Sequence, residues 1–161
     1  MMLRPPRRVR GHGHASPPAP PGARKERVSS PVPGQAEALN VAFVEDDPAT
    51  RQAFSMLVGG TPGLRCVAAW GSVEEALQRT PAAPPAVILL DIGLPDAVGT
   101  STLEWLQTLR PDIPVIVLTG NTDQRLARQM RQRGAFDYIT KPFEIEHLER
   151  SLQAAVSTAS P

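Results

Sequence analysis

The sequence predicts an α/β fold, a doubly wound, five-stranded parallel sheet with helices on both faces. From Leu39 onward, short apolar runs alternate with segments in which apolar residues recur every three or four positions, as in successive strand and helix units. Two of the runs, Ala86–Leu90 and Val115–Leu118, are apolar at every position, which is typical of central strands covered on both faces. Five such units, joined by right-handed crossovers, predict this architecture.

The first unit begins with strand Asn40–Val44. This strand leads into Asp47, a suitable helix N-cap, and Pro48, which suits the first helical position. Four apolar residues are predicted to share the buried face of the helix: Ala53, Phe54, Leu57 and Val58. We expect the helix to end at Gly59-Gly60, because glycine is common where helices stop.

The second strand is predicted at Arg65–Ala69. Ser72 and Glu75 then form a capping box ahead of a short helix. The apolar residues of this helix are Val73, Ala76 and Leu77. After a proline-rich loop comes the central strand Ala86–Leu90, which Asp91 closes.

The remaining elements follow a loop at Gly93–Gly99. The third helix has three leucines on one side: Leu103, Leu106 and Leu109. The later elements are predicted, in order, as strand Val115–Leu118, an Arg-rich helix at Asp123–Arg133 stopped by Gly134, strand Asp137–Thr140 and a final helix at Ile145–Val156.

Residues 1–38 differ in kind from the rest of the chain. They carry seven Lys or Arg and two Glu, a net charge of +5, and eight of the 18 prolines, whereas residues 39–161 have a net charge of −4. Such a segment cannot bury enough surface to fold alone, so we expect a disordered Pro/Arg-rich extension and a folded domain at 39–158. Contact of the extension with nucleic acid or anionic lipid, or a translation start further along the chain, are alternatives.

Several classes of protein are disfavoured by composition. The lone Cys66 excludes an internal disulfide framework and suits core packing in a reducing cytosol. Arg7-Arg8 is not followed by an apolar stretch, so no export signal is expected. No apolar run approaches the roughly 20 residues that span a bilayer. We therefore expect a soluble, cytoplasmic protein without a membrane partner.

Polar residues mark the ends of four predicted strands. Glu45 and Asp46 follow the first strand, Asp91 the third, Thr119 the fourth and Lys141 the fifth. Because the carboxyl ends of parallel strands lie along one edge of the sheet, these residues are expected to meet in one crevice. Crowded carboxylates favour a hard divalent cation, and Mg²⁺ fits because it keeps waters and phosphate oxygens as ligands. Asp91 is then placed to act as a nucleophile.

Four segments resemble the receiver domain of two-component response regulators, in the order and spacing of that family. They are Phe43-Val44-Glu45-Asp46-Asp47, Leu89-Leu90-Asp91-Ile92-Gly93-Leu94-Pro95-Asp96, Val117-Leu118-Thr119-Gly120 and Tyr138-Ile139-Thr140-Lys141-Pro142-Phe143. The resemblance extends over Leu39–Ser157. It implies a flavodoxin-like fold of the chemotaxis-regulator type, with strand order 2-1-3-4-5.

The resemblance implies a role for each site residue. Asp91 would accept a phosphoryl group from a phosphohistidine on a histidine kinase or a phosphotransferase, and Thr119 and Lys141 would hold the phosphoryl oxygens. The Mg²⁺ ligands would be Asp46, Asp91, the backbone carbonyl of Gly93 and, through water, Glu45. Lys141-Pro142 is similar to the cis turn found in such domains.

The resemblance also implies a switch. Thr119 would move toward the phosphoryl group and Tyr138 would turn inward, so that the surface of the fourth helix, fifth strand and fifth helix changes its protein-binding properties. Gly93 and Asn121 occupy positions that tune dephosphorylation. Gly93 lacks a side chain, so we expect Asn121 and bulk water to set the lifetime of the phosphoaspartate.

The predicted function is a stand-alone receiver rather than an enzyme, because the chain ends soon after the last helix. It would bind an unknown downstream protein and no nucleic acid directly. The last two helices carry charges of opposite sign: Arg125, Arg128, Arg131 and Arg133 on the fourth, and Glu144, Glu146 and Glu149 on or near the fifth. They are either solvated surfaces or the contacts of a phosphorylation-dependent homodimer.

Other functions explain fewer residues. A dinucleotide-binding oxidoreductase needs a glycine-rich turn where Glu45-Asp46 stands. A haloacid-dehalogenase-like phosphatase needs a second Asp at the position of Gly93. A receiver-like module that binds its partner without phosphorylation remains the main alternative. Individually, Thr119 is also compatible with a helix cap, and Tyr138 with simple packing.

Overall fold

The computed structural model of the chain describes residues 37–79, 81, 83–93 and 97–159, without the side chains of residues 97–100 and 109. Strands and helices alternate along this part: β1 (Leu39–Val44), α1 (Pro48–Gly60), β2 (Leu64–Trp70), α2 (Val73–Gln78), β3 (Val87–Ile92), α3 (Ala97–Leu109), β4 (Val115–Thr119), α4 (Gln124–Gln132), β5 (Asp137–Thr140) and α5 (Ile145–Ala159). Their order and number are as predicted. The extension predicted at 1–38 lies outside the described residues except for its last two positions.

The five strands form one parallel sheet in the order β2-β1-β3-β4-β5. This confirms the predicted doubly wound, flavodoxin-like fold. The chain moves from β1 outward to β2 and then back to β3 on the other side of β1, so the direction of winding reverses between β1 and β3. A crevice forms beyond the carboxyl ends of the strands at such a point. The topology therefore places the ends of β1 and β3 at the expected position for a ligand.

The two faces of the sheet have separate hydrophobic cores. Because successive residues of a strand point to opposite faces, neighbours such as Phe43 and Val44 belong to different cores. One core lies under α1 and α5 and includes Val41, Phe43, Phe54, Val58, Leu89, Leu118, Leu148 and Leu152. The other lies under α2, α3 and α4 and includes Val44, Val73, Leu90, Leu103, Leu106, Val117, Met130 and Tyr138.

Three predicted core residues are exposed. Leu57 in α1 is 43% exposed and Leu77 in α2 is 46% exposed, and Ala53 is exposed as well. Helix α1 packs mainly on β1 and β2, at the edge of the sheet, so only its Phe54 and Val58 side reaches a strand. The side chain of Leu109 lies outside the described residues.

Two strands continue further than predicted. Asp91 was expected to follow β3 but lies within it, because Asp91 and Ile92 pair with Leu118 and Thr119 of β4. Thr119 is likewise the last residue of β4 and no helix cap, since Asp123 accepts a hydrogen bond from the first turn of α4. Strand pairing therefore fixes the backbone positions of both residues.

Helix α1 ends at Gly60, as predicted. The helix includes Gly59 and Gly60, and Thr61 is its C-cap, with an N–H that donates to the carbonyl of Val58 at 3.2 Å. The glycine with a positive φ of 83° is Gly63, which turns the chain into β2. Gly134, with a φ of 101°, follows α4 as predicted.

Candidate functional site

Asp91 and Lys141, which are 50 positions apart in the sequence, meet at the carboxyl edge of the sheet. The Lys141 ammonium donates a hydrogen bond to Oδ2 of Asp91 and forms an ion pair with it. The side chain of Asp91 is only 2% exposed, whereas that of Lys141 is 34% exposed. The peptide bond between Lys141 and Pro142 is cis, as expected from the resemblance. The Lys141 N–H also donates to the carbonyl of Thr119 at 2.7 Å, which joins the ends of β4 and β5.

The second carboxylate oxygen of Asp91 is buried and unsatisfied. Its Oδ1 accepts no hydrogen bond from the residues that the structure describes. A buried polar atom without a partner is costly, and such atoms are rare in folded proteins. An unpaired carboxylate oxygen beside a cleft therefore indicates a place where a ligand or a reacting group completes the site.

Glu45 is buried beside Asp91 and carries a perturbed carboxyl group. The pKa of Glu45 is raised to about 8, mainly by burial and also by the side chains of Asp91 and Asp46, while the Asp47 N–H, which donates to Oε1 at 2.8 Å, acts in the opposite direction. The residue is only 6% exposed. Glu45 therefore keeps its proton at neutral pH unless positive charge enters the cleft.

The loop that carries the acidic pair is anchored by Arg51, a residue that the sequence analysis did not single out. The Arg51 guanidinium donates to the backbone carbonyls of Glu45 at 2.6 Å and Asp46 at 3.3 Å. Arg51 lies in the first turn of α1, whose N-cap is Asp47 as predicted. Contacts to backbone carbonyls leave no pattern of residue types, so sequence reasoning had no signal for this role.

A cleft of about 490 Å³ opens at the ends of β1 and β3. Its walls contain Glu45, Asp46 and Asp91, together with Ser72 at the start of α2 and Trp105 on α3. Ser72 was predicted only as a helix cap, a role that it also fills, because its Oγ accepts from the Glu75 N–H at 3.1 Å. The cleft is therefore lined by acidic residues on one part of its surface and by partly apolar residues on another.

The donors around Asp91 suit Mg²⁺. Among the described residues, no three Asp, Glu, His or Cys side chains are gathered as a ready-made metal site. Mg²⁺ needs no such cage, because it takes one or two carboxylates and keeps several waters. The unpaired Oδ1 of Asp91 and the exposed carboxylate of Asp46 line the same cleft, and so does Gly93. A side chain added at Gly93 would contact no described atom within 4 Å.

Thr119 and Tyr138 are both buried and meet at Asn121. The Thr119 Oγ1 accepts a hydrogen bond from the Asn121 N–H at 3.1 Å, and the Tyr138 hydroxyl donates to the Asn121 carbonyl at 3.1 Å. Burial raises the pKa of the Tyr138 phenol, which keeps it protonated. Tyr138 is only 7% exposed, so its ring is already inward in this structure rather than poised outside.

The charged residues of α4 are less available than the sequence suggested. Arg131 forms an ion pair with Asp137 at 2.9 Å, and Arg133 forms one with Glu104 on α3 at 2.5 Å. Arg125 and Arg128 are exposed and form no ion pair within the described ranges. Two of the four arginines are therefore already used inside the chain.

No helix within the described part of the chain has the length and apolar character to cross a membrane.

The fold and the site define a class of doubly wound α/β proteins with an acidic crevice at the strand ends. Residues 41–153 match the response regulator receiver domain family. The chain belongs to that family.

Known proteins of this family are similar in the same region. The probable C4-dicarboxylate response regulator DctR of Bacillus subtilis (strain 168) is 29% identical over 113 residues, which are 70% of this chain and 50% of DctR. The DNA-binding transcriptional regulator NtrC of Escherichia coli (strain K12) is 32% identical over 117 residues, 73% of this chain and 24% of NtrC. The chain thus matches only half or a quarter of the length of these relatives.

A solved structure is similar over nearly its whole length. The solution structure of the beryllofluoride-activated NtrC4 receiver domain dimer has a TM-score of 0.62 and 26% identity, covering 75% of this chain and 98% of that one. The similarity therefore extends over nearly the whole of that receiver domain.

Proposed function

We propose that Asp91 accepts a phosphoryl group from a phosphohistidine of a histidine kinase or a histidine phosphotransferase, and that the phosphorylated protein signals by binding another protein. The observation that carries this proposal is the state of the Asp91 carboxylate. One oxygen is held by Lys141, and the other is buried at the wall of an open cleft without a hydrogen-bond partner among the described residues. A carboxylate that is oriented but incompletely satisfied is suited to nucleophilic attack.

The transfer step needs little covalent chemistry from the protein. A carboxylate oxygen of Asp91 bonds to phosphorus, and the bond between phosphorus and the imidazole nitrogen breaks. Its electron pair stays on the ring, which takes up a proton from water. Lys141 would stabilise the negative charge of the phosphoryl oxygens, and the Thr119 hydroxyl, which accepts from the Asn121 N–H in this structure, would turn to donate a hydrogen bond to them. The product is an acyl phosphate on Asp91.

Asp46, Asp91 and the Gly93 carbonyl are the groups that would hold Mg²⁺, with Glu45 acting through water. Receiver domains use Mg²⁺ at the phosphorylation site, and the donors described above fit that ion. When bound, Mg²⁺ supplies positive charge that offsets the charge on the transferred group. Glu45 must lose its proton to take part, because its pKa is raised to about 8 in the metal-free protein.

Phosphoryl incorporation is the direct test. The purified protein is incubated with Mg²⁺ and acetyl phosphate, or with a phosphorylated histidine phosphotransferase, and its intact mass is measured. We expect the mass of one phosphoryl group on the wild type and on Asp112→Asn, which replaces an exposed aspartate ahead of β4, and none on Asp91→Asn. No incorporation into the wild type under saturating donor would favour the receiver-like module that acts without phosphorylation.

The proposed output is binding rather than catalytic turnover, by a receiver domain at 39–158 that acts in the cytoplasm. DctR and NtrC are longer than this chain. An antibody raised against the receiver domain would show in cell extracts whether the native protein has the mass of 161 residues, as a stand-alone receiver requires, or a clearly greater mass, which indicates an attached domain.

A phosphorylation-dependent homodimer remains part of the proposal in a narrower form. The NtrC4 receiver is described as a beryllofluoride-activated dimer. Here only Arg125 and Arg128 of α4 are exposed without an ion pair in the described structure, and Glu144 and Glu146 near α5 are exposed acids. Sedimentation with and without beryllofluoride should show dimers only in its presence. Reversal of charge at Arg125 and Arg128 should abolish them, and a monomer in both conditions would refute the idea.

A further inference from the structure

One residue of the loop between β4 and α4 bonds to both proposed switch residues. The backbone N–H of Asn121 donates to Thr119, and its backbone carbonyl accepts from Tyr138, each at 3.1 Å. Thr119 is fully buried and Tyr138 nearly so. A movement of the Thr119 hydroxyl therefore changes the hydrogen bonding of Asn121, in addition to the direct contact between Thr119 and the Tyr138 hydroxyl.

The side chain of Asn121 continues the same path toward α4. Its Oδ1 accepts from the Asp123 N–H at 2.7 Å. Asp123 is the N-cap of α4, and its Oδ1 accepts from the Arg125 N–H at 2.8 Å. The hydrogen bonds thus run without interruption from the Thr119 hydroxyl, through Asn121, to the first turn of the helix.

We infer that Asn121 is a positioning residue that transmits a movement of Thr119 to the first turn of α4. The sequence analysis expected the Asn121 side chain to tune dephosphorylation, but in the structure its oxygen is engaged by the Asp123 N–H. This inference rests on the proposed phosphorylation of Asp91. When the Thr119 hydroxyl turns toward a phosphoryl oxygen, the Asn121 N–H loses its acceptor, and an unpaired donor favours a shift of the loop.

The far end of α4 is held more firmly. Arg131 contacts Asp137 at 2.9 Å, and the other oxygen of Asp137 accepts from the Ser151 hydroxyl on α5 at 2.7 Å. Two neighbouring elements therefore hold this end through charged and buried groups. A shift that reaches α4 through Asn121 is expected at its first turn and much less at its last.

Amide resonances can follow each step of the path. In ¹⁵N-labelled wild type, saturating Mg²⁺ and beryllofluoride, an analogue of the phosphoryl group, should shift the amides of Asp91 and Lys141 at the site and of Arg125 and Ala127 in the first turn. In Asn121→Ala the site amides should still shift, while the first-turn shifts fall about twofold or more. Asn121→Asp should restore them, because a carboxylate oxygen can accept from the Asp123 N–H.

Thr122→Ala is the matched control, since Thr122 is the exposed neighbour in the same loop. It should respond as the wild type does. If Asn121→Ala gives no folded spectrum, Asn121→Ser, with a weaker acceptor, should give an intermediate first-turn response. Full first-turn shifts in folded Asn121→Ala or Asn121→Ser, or equal losses in Thr122→Ala, would overturn the inference. Absence of site shifts in the wild type would instead refute the proposed function, and this inference would fall with it.

Discussion

The two ends of the sheet treat buried carboxylates in opposite ways. At the amino end, Asp137 begins β5 and has every partner it needs. Its burial alone would raise its pKa, but hydrogen bonds from Arg131, the Ser151 hydroxyl and the Tyr138 N–H outweigh burial and hold the pKa below its usual value. At the carboxyl end, Glu45 has a pKa raised to about 8, and one oxygen of Asp91 has no described partner.

This difference separates a structural carboxylate from the carboxylates of the proposed site. Both ends are built on the same strands and carry the same kinds of residue. The chain itself neutralises Asp137, whereas at the other end a cation or phosphoryl group would do the corresponding work. Buried carboxylates that lack partners destabilise the folded state, and such groups cluster at functional sites. They are therefore a physical sign of a ligand site.

Removal of Asp137 should have the largest effect on stability. Asp137→Ala leaves Arg131 without its partner and the buried Ser151 hydroxyl without an acceptor, so we expect the free energy of unfolding to fall by about 1–3 kcal/mol. Urea unfolding would measure the change, with Asp112→Ala as an exposed control. A loss no greater than that of the control would contradict the assignment of Asp137 as a structural carboxylate.

The pH dependence of stability should have opposite signs at the two ends. Glu45 has a raised pKa in the folded state, so its contribution is fully present below the unfolded value of 4.5 and is lost as the pH rises through about 8. Asp137 has a lowered pKa, so its contribution is present above 3.8 and is lost as the pH falls through its folded value.

The free energy of unfolding of the metal-free protein, measured between pH 5 and 9, tests the Glu45 contribution. One proton can change this free energy by at most about 1.4 kcal/mol per pH unit. Glu45→Gln should flatten the decline in stability toward pH 8. Asp112→Asn should leave it as in the wild type. The same decline in Glu45→Gln would show that another group causes it.

Loss of Arg51 should have an intermediate effect. Arg51→Met removes two hydrogen bonds to the loop of the acidic pair, and we expect a loss of about 1 kcal/mol in stability and a weaker affinity for Mg²⁺. Isothermal titration calorimetry with Mg²⁺ would measure the affinity. If Mg²⁺ bound to the variant as it does to the wild type, the anchoring role of Arg51 would be limited to stability.

The smallest effect is expected at the surface. Arg133 and Glu104 are both largely solvated, at 39% and 52% exposure of their side chains, so Arg133→Met should cost less than about 1 kcal/mol. It also serves as the control for Arg51→Met, because it removes an arginine from the other end of the molecule. If Arg133→Met lowered the free energy of unfolding as much as Asp137→Ala does, the solvated ion pair would not be weaker than the partly buried contacts of Asp137.

The fold and the convergence of the acidic site with Lys141 were predictable from the sequence. The spacing of apolar residues along the sequence identified the strands and helices. The parallel arrangement of the strands then determined which residues meet at the carboxyl edge of the sheet. The continuation of β3 through Asp91 was not predictable, because it depends on pairing with β4 rather than on the residues of β3. The exposure of Leu57 was missed for a similar reason, since it depends on where the sheet ends.

The residues that support the site were beyond the reach of sequence patterns. Arg51 acts on backbone carbonyls, which every residue type has in common. Asn121 links three residues through its N–H, its carbonyl and its side chain, so its residue type reveals only a third of its contacts. Asp137 and Ser151 meet across two elements, and nothing in the local sequence of either indicates the other.

The position of Trp105 makes the protein its own optical probe. Of the two tryptophans, Trp70 is enclosed at 4% exposure, whereas Trp105 is 37% exposed and forms part of the cleft wall. Indole emission responds to nearby charge and to contact with water. The emission of Trp105 should therefore report what enters the cleft in the unlabelled chain, while the enclosed indole of Trp70 provides a steadier background.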